Sequence, residues 1–464
     1  MWRVALCLFA ALMPLVAMAA DTQPPDTIDI ERIDVLDLAT AARIALADNP
    51  SLEAARARVE QAAQVVRQAR SGYWPQLDAS ASAARVKMSE RDLNSQLAIF
   101  RALNLPAPDI ENPDDYYQAD LTASWLVFDG FARRFRLAAA RFGEQASGAA
   151  REDARRLLLS AVSFAFLQAQ LAQENIAIAK ADEAFNDRLL SEARLRYDVG
   201  AGPLSDVLNF QVRGNTATNR RLQEERAFQA SLISLAGLLG LPSGRLPGHV
   251  RLASLEPTAD RELIDPQTDT DVILQAALDH RPDLRRSDWL VRQAEAGVKT
   301  ARAGYFPTVA VTGSVFGERP GDMGFNEDDF GNSIGVGLSW NLFAGGLTRA
   351  RHGEARARLY EIEQLRNSAR IDVVAEVQDV ITRIETAQRQ LTLQEANAEL
   401  VQQQRDLVEK EYKAGVGSLV RLNEAQRDLT VAQSQLTLSR VALKLAWYDL
   451  QTATGQILDT FQAR

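Results

Sequence analysis

The sequence predicts an α+β protein that is mostly α-helical and is built from two copies of one structural half. Three observations lead to this prediction: the chain repeats itself, each half contains a long proline-free segment suited to a single helix, and each half contains two strictly alternating segments. Such alternating segments are typical of β-strands that cross a membrane. The four strands therefore predict a chain that contributes part of a membrane-spanning β-barrel.

The repeat appears at two spacings along the 464 residues. The motif Ala-Arg-x-Gly-Tyr-x-Pro occurs at 69–75 and again at 301–307. Further along, Ser-Trp-x-x-Phe-x-Gly at 124–130 recurs at 339–345, and Tyr-x-x-Gly-x-Gly at 197–202 recurs at 412–417. The second spacing is shorter than the first, which places an insertion in the first half. The unit is far longer than the roughly 20–50 residues of a solenoid repeat, so it indicates a duplicated half-protein.

The N-terminus resembles a secretory signal peptide over residues 1–19, with Arg3, an apolar run and Ala17-Met18-Ala19 as a cleavage site. The single cysteine, Cys7, lies inside it, so the exported chain is expected to contain neither disulfides nor thiolate zinc sites. We predict a first structural repeat over 20–240, a proline-containing inter-repeat linker over 241–271, and a second structural repeat over 272–464.

Each repeat is predicted to contain one long helix, over 131–198 in the first and 345–413 in the second. Neither segment contains proline, and each would extend about 100 Å at 1.5 Å per residue. Apolar residues recur at sevens in the first long helix, as in a coiled coil: Leu157, Phe164, Leu171, Ile178 and Phe185. Shorter flanking helices are expected to run antiparallel beside each long helix.

Strands are predicted near 76–86, 117–128, 307–316 and 331–343, with Trp125 and Trp340 on their apolar side. Four strands cannot close a barrel, and an open edge in lipid leaves backbone groups unpaired, so several chains would have to share one. A half-buried sheet in a periplasmic domain remains the alternative. The acidic strand connections, 89–115 and 317–329, are interpreted as solvated loops or as places where divalent cations bridge to lipopolysaccharide.

The sequence offers nothing on which to base an enzyme, and we expect no catalytic residues, metal site or cofactor. His249, His280 and His352 are scattered and lack metal-ligand spacing. The net charge of −9 argues against a nucleic-acid partner.

The duplicated motifs resemble the TolC-like outer membrane efflux protein family (outer membrane factors), and the resemblance covers nearly the whole exported chain. It implies a homotrimer whose transmembrane β-barrel, with four strands per chain, continues as a long antiparallel α-helical coiled-coil barrel. Such a protein lies in the outer membrane lipid and extends into the periplasm. It exports drugs, small molecules or proteins, as in multidrug efflux or type I secretion. Its partners would be a periplasmic adaptor (membrane fusion) protein and an inner-membrane efflux or ABC-type transporter.

The resemblance also implies two groups of site residues. Adaptor-docking tips are expected at the glycine turns, although these turns also read simply as helix-ending glycines: Val199, Gly200, Ala201, Gly202, Ala414, Gly415, Val416 and Gly417. A periplasmic gate is expected just beyond them, at Ser205, Asp206, Tyr412, Arg421 and Glu424. Arg421 and Glu424 stand where the TolC type has two acidic residues, so its double carboxylate ring is not reproduced in full.

Asp206 and Arg421 occupy equivalent repeat positions and could face each other, or both could be ordinary surface charges. Two other functions remain open. A periplasmic adaptor also contains a long helical hairpin, and a structural coiled coil could span the envelope without conducting. Two complete hairpins and four strands favour the channel.

Overall fold

A computed structural model describes residues 30–106, 112–255 and 266–462 of the chain. The predicted signal peptide and residues 256–265 of the predicted linker lie outside the described residues. No described helix is long and apolar enough to cross a membrane.

Ten α-helices lie within the described residues. Their bounds are α1 Leu38–Asp48, α2 Pro50–Ser71, α3 Glu90–Ala102, α4 Ala132–Asp198, α5 Leu204–Leu238, α6 Pro266–His280, α7 Pro282–Ala303, α8 Leu347–Lys413, α9 Leu419–Ala453 and α10 Ile457–Gln462. The long helices α4 and α8 each have 67 residues. The insertion predicted as a loop contains helix α3, whose N-cap Ser89 accepts a hydrogen bond from the Asp92 N–H at 3.2 Å.

The strands form two sheets. Their bounds are β1 Val35–Leu36, β2 Gln76–Val86, β3 Asp114–Phe128, β4 Arg251–Leu252, β5 Thr308–Pro320 and β6 Phe330–Ser339. The larger sheet is antiparallel throughout, in the order β2-β3-β5-β6. β6 ends at Ser339 rather than at the predicted residue 343, so Trp340 lies outside the strand. The prediction that Trp340 belongs to a strand is therefore wrong.

The two tryptophans instead make the same contact at the join between strands and helices. The indole Nε1 of Trp125 donates to the carbonyl of Tyr73 at 3.0 Å, and that of Trp340 donates to the carbonyl of Tyr305 at 3.2 Å. Trp125 and Trp340 are equivalent in the repeat, as are the two tyrosines. The backbone of the Gly-Tyr-x-Pro motif is thus hydrogen-bonded to the tryptophan near the end of the second strand that follows it in each half.

The register of the large sheet separates apolar from polar side chains. Leu77 pairs with Ala123, Ala123 with Gly313, and Gly313 with Ile334, so these four positions share one face. The same face includes Leu121, Val311, Val315, Val336 and Leu338. The opposite face is polar, with hydrogen bonds from Ser80 to Asp120 and between Ser314 and Ser333. The sheet therefore has one face suited to lipid and one suited to water.

The chain divides into two compact units that do not coincide with the sequence repeats. Of the residues that the structure describes, one unit comprises 30–49 and 161–255, and the other comprises 50–106, 112–160 and 266–462. Each unit contains one of the two hairpin tips. The sequence repeat is therefore not the unit of packing.

Both units contain the same close backbone contact near the end of a hairpin. Gly240 has φ +77°, and a Cβ there would lie 2.6 Å from the carbonyl oxygen of Asp48. Gly455 has φ +78°, and its Cβ would lie 3.1 Å from the carbonyl oxygen of His280. Only glycine combines a positive φ with this lack of space. The duplication is therefore repeated in detailed backbone geometry.

Only part of the predicted heptad seam of α4 is buried within the single chain. Leu157 and Phe164 are 52% and 56% exposed, whereas Leu159 and Val162 are fully buried. Phe185, at the far end of the seam, is buried. Two apolar seam positions are thus left without intrachain cover.

In the larger unit, α9 packs against α8. Their core includes Val377, Ile384, Leu391, Leu443 and Leu450, all nearly inaccessible to solvent. Beside this core lie two buried arginines at the end of α9. Arg156 donates to the carbonyl of Thr452 at 3.0 Å, and Arg281 donates to the carbonyl of Ala453 at 3.2 Å. These contacts bring side-chain donors to carbonyls in the last turn of α9, where that of Thr452 also accepts from the Gly455 N–H at 3.1 Å.

Candidate functional site

The first predicted tip is a tight turn between α4 and α5. Gly200 has φ +76°, in the left-handed region that favours glycine. The N–H of Ala201 donates to the carbonyl of Arg196 at 2.7 Å, and the N–H of Gly200 donates to that of Tyr197 at 2.9 Å. A Cβ at Gly202 would lie 3.1 Å from the Cβ of Arg196. The glycines thus allow the chain to reverse tightly while satisfying the last carbonyls of α4.

The second tip, between α8 and α9, repeats this turn. Gly415 has φ +77°, and its N–H donates to the carbonyl of Tyr412 at 3.0 Å. The N–H of Gly417 donates to the carbonyl of Glu411 at 3.0 Å. A Cβ at Gly417 would lie 2.9 Å from the backbone nitrogen of Tyr412, so no side chain fits there. Both predicted tips are therefore formed by glycines that the backbone requires.

Most of the eight predicted tip residues are open to solvent. Gly202 and Gly417 are half-buried, and the other six are exposed. Val199 is 70% exposed and Val416 is 81% exposed. Single exposed valines are common on protein surfaces and indicate little by themselves.

The first hairpin also has a longer apolar surface. Leu204, Leu208 and Val212 lie four residues apart on α5 and are 47%, 54% and 64% exposed. A spacing of four keeps them on one side of the helix. The three side chains therefore form a contiguous apolar stripe that is exposed in the single chain.

The five predicted gate residues lie on the two hairpins, all within about two turns of the tips. Ser205 and Asp206 lie in the first turn of α5, exposed and half-buried respectively. Tyr412 is half-buried in the last turn of α8, and Arg421 and Glu424 are exposed at the start of α9. The structure thus brings Tyr412, Arg421 and Glu424 together on one hairpin and places Ser205 and Asp206 on the other.

Arg421 has a partner within its own hairpin. Its Nη1 lies 3.2 Å from a carboxylate oxygen of Glu411, and its backbone N–H donates to the N-cap Ser418 at 3.3 Å. The side chain of Arg421 is 63% exposed. An ion pair this exposed contributes about 0–1 kcal/mol to stability. It orients the guanidinium rather than locking it in place.

Charges around the two tips are reversed between equivalent positions of the repeat. Only the pair Asp206 and Arg421 was noted from sequence, and aligning the two halves on their Tyr-x-x-Gly-x-Gly motifs reveals the others. The reversed pairs are Arg194 and Glu409, Arg196 and Glu411, Asp198 and Lys413, Asp206 and Arg421, and Arg213 and Asp428. The two tips therefore have the same turn geometry but opposite local charge at these five positions.

A polar clamp, also missed from sequence, joins α4 to α5 behind the first tip. Glu183 accepts hydrogen bonds from Thr218 at 2.6 Å and from Arg221 at 2.7 Å, and Arg221 also bonds Glu225 at 2.8 Å. The Thr218 hydroxyl and then the Arg221 guanidinium hold the pKa of Glu183 below its ordinary value. Only the folded hairpin brings these side chains together, because Glu183 and Thr218 are 35 residues apart.

The second hairpin has a different arrangement, with a pair of cationic side chains around one glutamate of α8. Glu409 is largely buried and is bonded by Arg405 at 2.7 Å and by Lys413 at 2.8 Å. Among the described residues, no group of three or more His, Cys, Asp or Glu side chains is placed to hold a metal ion.

The comparisons of this chain with known proteins agree with one another. A family model described as outer membrane efflux protein matches residues 41–241 and 273–456. The pyoverdine export outer membrane protein OpmQ of Pseudomonas aeruginosa is 28% identical over 415 residues, which cover 87% of this chain and 82% of that protein.

Two solved structures are similar over almost their whole length. The outer membrane protein VceC of Vibrio cholerae matches with a TM-score of 0.74 at 21% identity, covering 90% of this chain and 96% of VceC. A membrane protein from Pseudomonas aeruginosa matches with a TM-score of 0.76 at 22% identity, covering 94% of this chain and 98% of that one. These likenesses confirm the predicted fold class, mostly α-helical with four long strands per chain.

Proposed function

Because this chain belongs to the outer membrane efflux protein family, we propose that three copies of it assemble to complete the channel whose parts a single copy contains. The protein is an outer membrane channel-tunnel that exports molecules, and it extends from the outer membrane into the periplasm. The family consists of channel proteins, and we propose that this chain has no catalytic activity of its own.

The observation that supports assembly most strongly is the open sheet. β2 pairs only with β3 and β6 pairs only with β5, so the outer edge of each lacks a partner strand within the described chain. β2 has 11 residues and β6 has 10, about the length of a strand that crosses a bilayer. Each backbone group left unpaired in lipid costs several kcal/mol. Pairing β6 of one copy with β2 of the next removes that cost.

The need for an open path requires more than two copies. Two copies would give eight strands, and the interior of an eight-stranded barrel is filled by side chains or holds one small ligand. Three copies give twelve strands and a wider interior. The polar face, which includes Ser80, Asp120 and Ser314, would then line water.

The helices have apolar surface that the same assembly would cover. Leu393, Leu400 and Leu407 recur at sevens on α8 and are 69%, 64% and 58% exposed. This is the heptad spacing of a coiled-coil seam, here without a partner within the described chain. Contact with a neighbouring copy would bury such side chains and stabilise the trimer by about 1.5–3 kcal/mol for each one fully buried.

The hairpin tips are proposed as the gate and the docking surface. A ring of three first hairpins alternating with three second hairpins would place opposite charges side by side, because five equivalent positions have reversed charges. Asp206, Arg421 and Tyr412 would contribute to closure, with Ser205 and Glu424 beside them. Opposite charges favour the closed ring, and each contact is weak enough to be released.

A periplasmic adaptor is the proposed occupant of the tips. The apolar stripe Leu204, Leu208 and Val212 and the solvent-exposed Val199 and Val416 support this role. The adaptor would connect the channel to an inner-membrane transporter, either an efflux pump or an ABC-type transporter.

Planar-bilayer recording of the purified protein tests the channel against both alternatives. A trimer that resists mild detergent and conducts ions is the expected result. A monomer without conductance would favour a periplasmic adaptor or a structural coiled coil, neither of which forms a pore. Recovery in the soluble periplasmic fraction would likewise contradict the proposal.

A further inference from the structure

One hollow in the larger unit is lined by three neighbouring helices. Its volume is about 400 Å³, and it lies close to the strand end of α4, α7 and α8. α7 contributes its floor, with Leu290, Gln293, Ala294 and Gly297, while Ala139 of α4 and Arg351, Glu354, Ala355, Arg358 and Ile362 of α8 line the rest. The residues of the floor are mostly apolar, and the charged residues that line the hollow all belong to α8.

The three helices lie side by side in the order α4, α7, α8. Phe142 of α4 stacks on Trp289 of α7 with ring centroids 6.0 Å apart. On the other flank of α7, Asp288 lies 3.8 Å from Arg366 of α8. Three neighbouring helices share one hollow only on the concave side of the wall that they form, because on the convex side their outer side chains diverge. The hollow therefore marks the concave face.

The opposite face of α7 has a different character. Arg292 lies about 200° around the helix from Leu290, is exposed, and covers the ring of Trp289 at 4.6 Å. Lys299 lies on the same side and is exposed. Both faces of the wall are thus open to water, as a tunnel wall in the periplasm requires.

The two arginines of the hollow are available to a ligand. Arg351 and Arg358 are exposed and have no hydrogen bond or ion pair within the described part of the chain. They lie seven residues apart, so they project from the same side of α8 about 10.5 Å from each other. Glu354 offsets one of the two charges, and Glu361 lies beside Arg358 in an adjoining hollow. The lining of the hollow itself thus has a net positive charge in each copy.

We infer that this concave face lines the tunnel and that Arg351 and Arg358 form a cationic belt there, which favours the passage of anionic molecules. The inference rests on the proposed trimer, in which the belt contains six guanidinium groups and a net charge of three. Charges of one sign around a narrow water-filled path raise the local concentration of the opposite ion. The Debye length of about 8 Å at physiological salt is comparable to the spacing within the belt, so neighbouring charges act together.

The first test is ion selectivity in planar bilayers under a potassium chloride gradient. Replacing both arginines, Arg351→Gln with Arg358→Gln, is expected to lower the chloride-to-potassium permeability ratio by about twofold or more. The matched control is Arg349→Gln with Arg356→Gln. These exposed arginines lie two residues earlier on the same helix, about 200° around it. The control is expected to leave the ratio unchanged.

The second test probes the orientation of the same two positions by chemical modification. Cys7 is the only cysteine in the chain, so Cys7→Ser provides a background in which Arg351→Cys or Arg358→Cys is the sole thiol. A negatively charged methanethiosulfonate added during recording should reduce single-channel current at these two positions. At Arg349→Cys or Arg356→Cys it should not.

The outcomes separate the two proposals. A parent protein that never conducts contradicts the channel assembly itself. A conducting parent whose selectivity is unchanged by the double substitution, and whose current is unaffected by modification at Arg351→Cys, contradicts the cationic belt alone. An equal effect at the control positions would show that the assignment of the concave face is wrong.

Discussion

Arg281 bonds three elements of the larger unit to one another, and its replacement should lower the stability of the fold. It is only 5% exposed. It bonds Asp283 at 2.8 Å and Glu376 at 2.5 Å, and donates to the carbonyl of Ala453 at 3.2 Å. The substitution Arg281→Met retains the aliphatic volume and removes every one of these bonds. It leaves one carbonyl and two carboxylates short of a partner.

The two carboxylates left behind are 30% and 42% exposed, so the expected cost is about 2–3 kcal/mol, below the range of about 3–5 kcal/mol for a fully buried ion pair. At roughly 2 °C per kcal/mol for a unit of this size, the apparent melting temperature should fall by about 4–6 °C. The assay is the loss of helical circular dichroism at 222 nm on heating the protein in detergent. The control Arg286→Met removes an exposed arginine five residues along the same helix and should change the melting temperature by about 1 °C or less.

The pH dependence of the melting temperature supplies a second readout. Burial alone would raise the pKa of Asp283, but the Arg281 bond and charge, with Arg156 and the Leu284 N–H, hold the pKa below its ordinary value. Asp283 therefore stabilises the fold above its unfolded pKa of about 3.9, and this contribution is lost as pH falls through the lower folded value. Arg281→Met should reduce this dependence. Equal melting temperatures for Arg281→Met and Arg286→Met would refute the reasoning.

Two further predictions concern the membrane face and the gate. Val336 lies on the apolar face of β6, 73% exposed, while Gly335 lies on the opposite face with open space where its Cβ would be. Val336→Arg should therefore destabilise the inserted barrel by about 2–4 kcal/mol if it lies near the bilayer midplane, and so lower the recovery of trimer from the outer membrane. Gly335→Arg should leave that recovery unchanged. Equal recovery of the two variants would contradict the assigned faces. Arg421→Glu should increase single-channel conductance by weakening closure, because it removes the charge opposite to Asp206, and adding Asp206→Arg should restore opposite charges between the two kinds of hairpin. If the double variant still conducts like the single one, the opposite charges at these two positions do not hold the gate.

Repetition was the most informative signal in the sequence. The tips at Gly200 and Gly415 lie where the aligned motifs placed them, because a left-handed glycine after a long helix is a local requirement that sequence records directly. β2 begins and ends at the predicted residues 76 and 86 for a similar reason, since strict alternation is a local pattern.

Features that depend on distant partners could not be predicted. The bonds from Arg156 and Arg281 to the end of α9 join residues 296 and 172 positions apart, and nothing near either arginine in sequence indicates them. Leu157 and Phe164 fit a heptad but are exposed, because periodicity shows that a seam exists and not whether it packs within the chain. Helix α3 was missed although Ser89 and Asp92 have the spacing of a helix cap.

The central claim is that the open edges of the sheet are completed by neighbouring copies, and disulfide cross-linking tests it most directly. The apolar face includes Ala79 and Ala81 on β2 and Ile334 and Val336 on β6. Within one chain β2 and β6 are three strand spacings apart, about 14 Å. Because a disulfide requires Cα atoms within about 7 Å, a bond between these strands must join two chains.

The measurement is non-reducing gel electrophoresis of outer membranes from chains with one cysteine on each edge strand, in the Cys7→Ser background. Ala79 or Ala81 is replaced together with Ile334 or Val336, giving four combinations on the same face. We predict that at least one combination gives a covalent trimer that a reductant dissociates, and that replacing Ser80, on the opposite face, together with Ile334 gives none. Monomer alone in all four combinations would contradict the shared sheet.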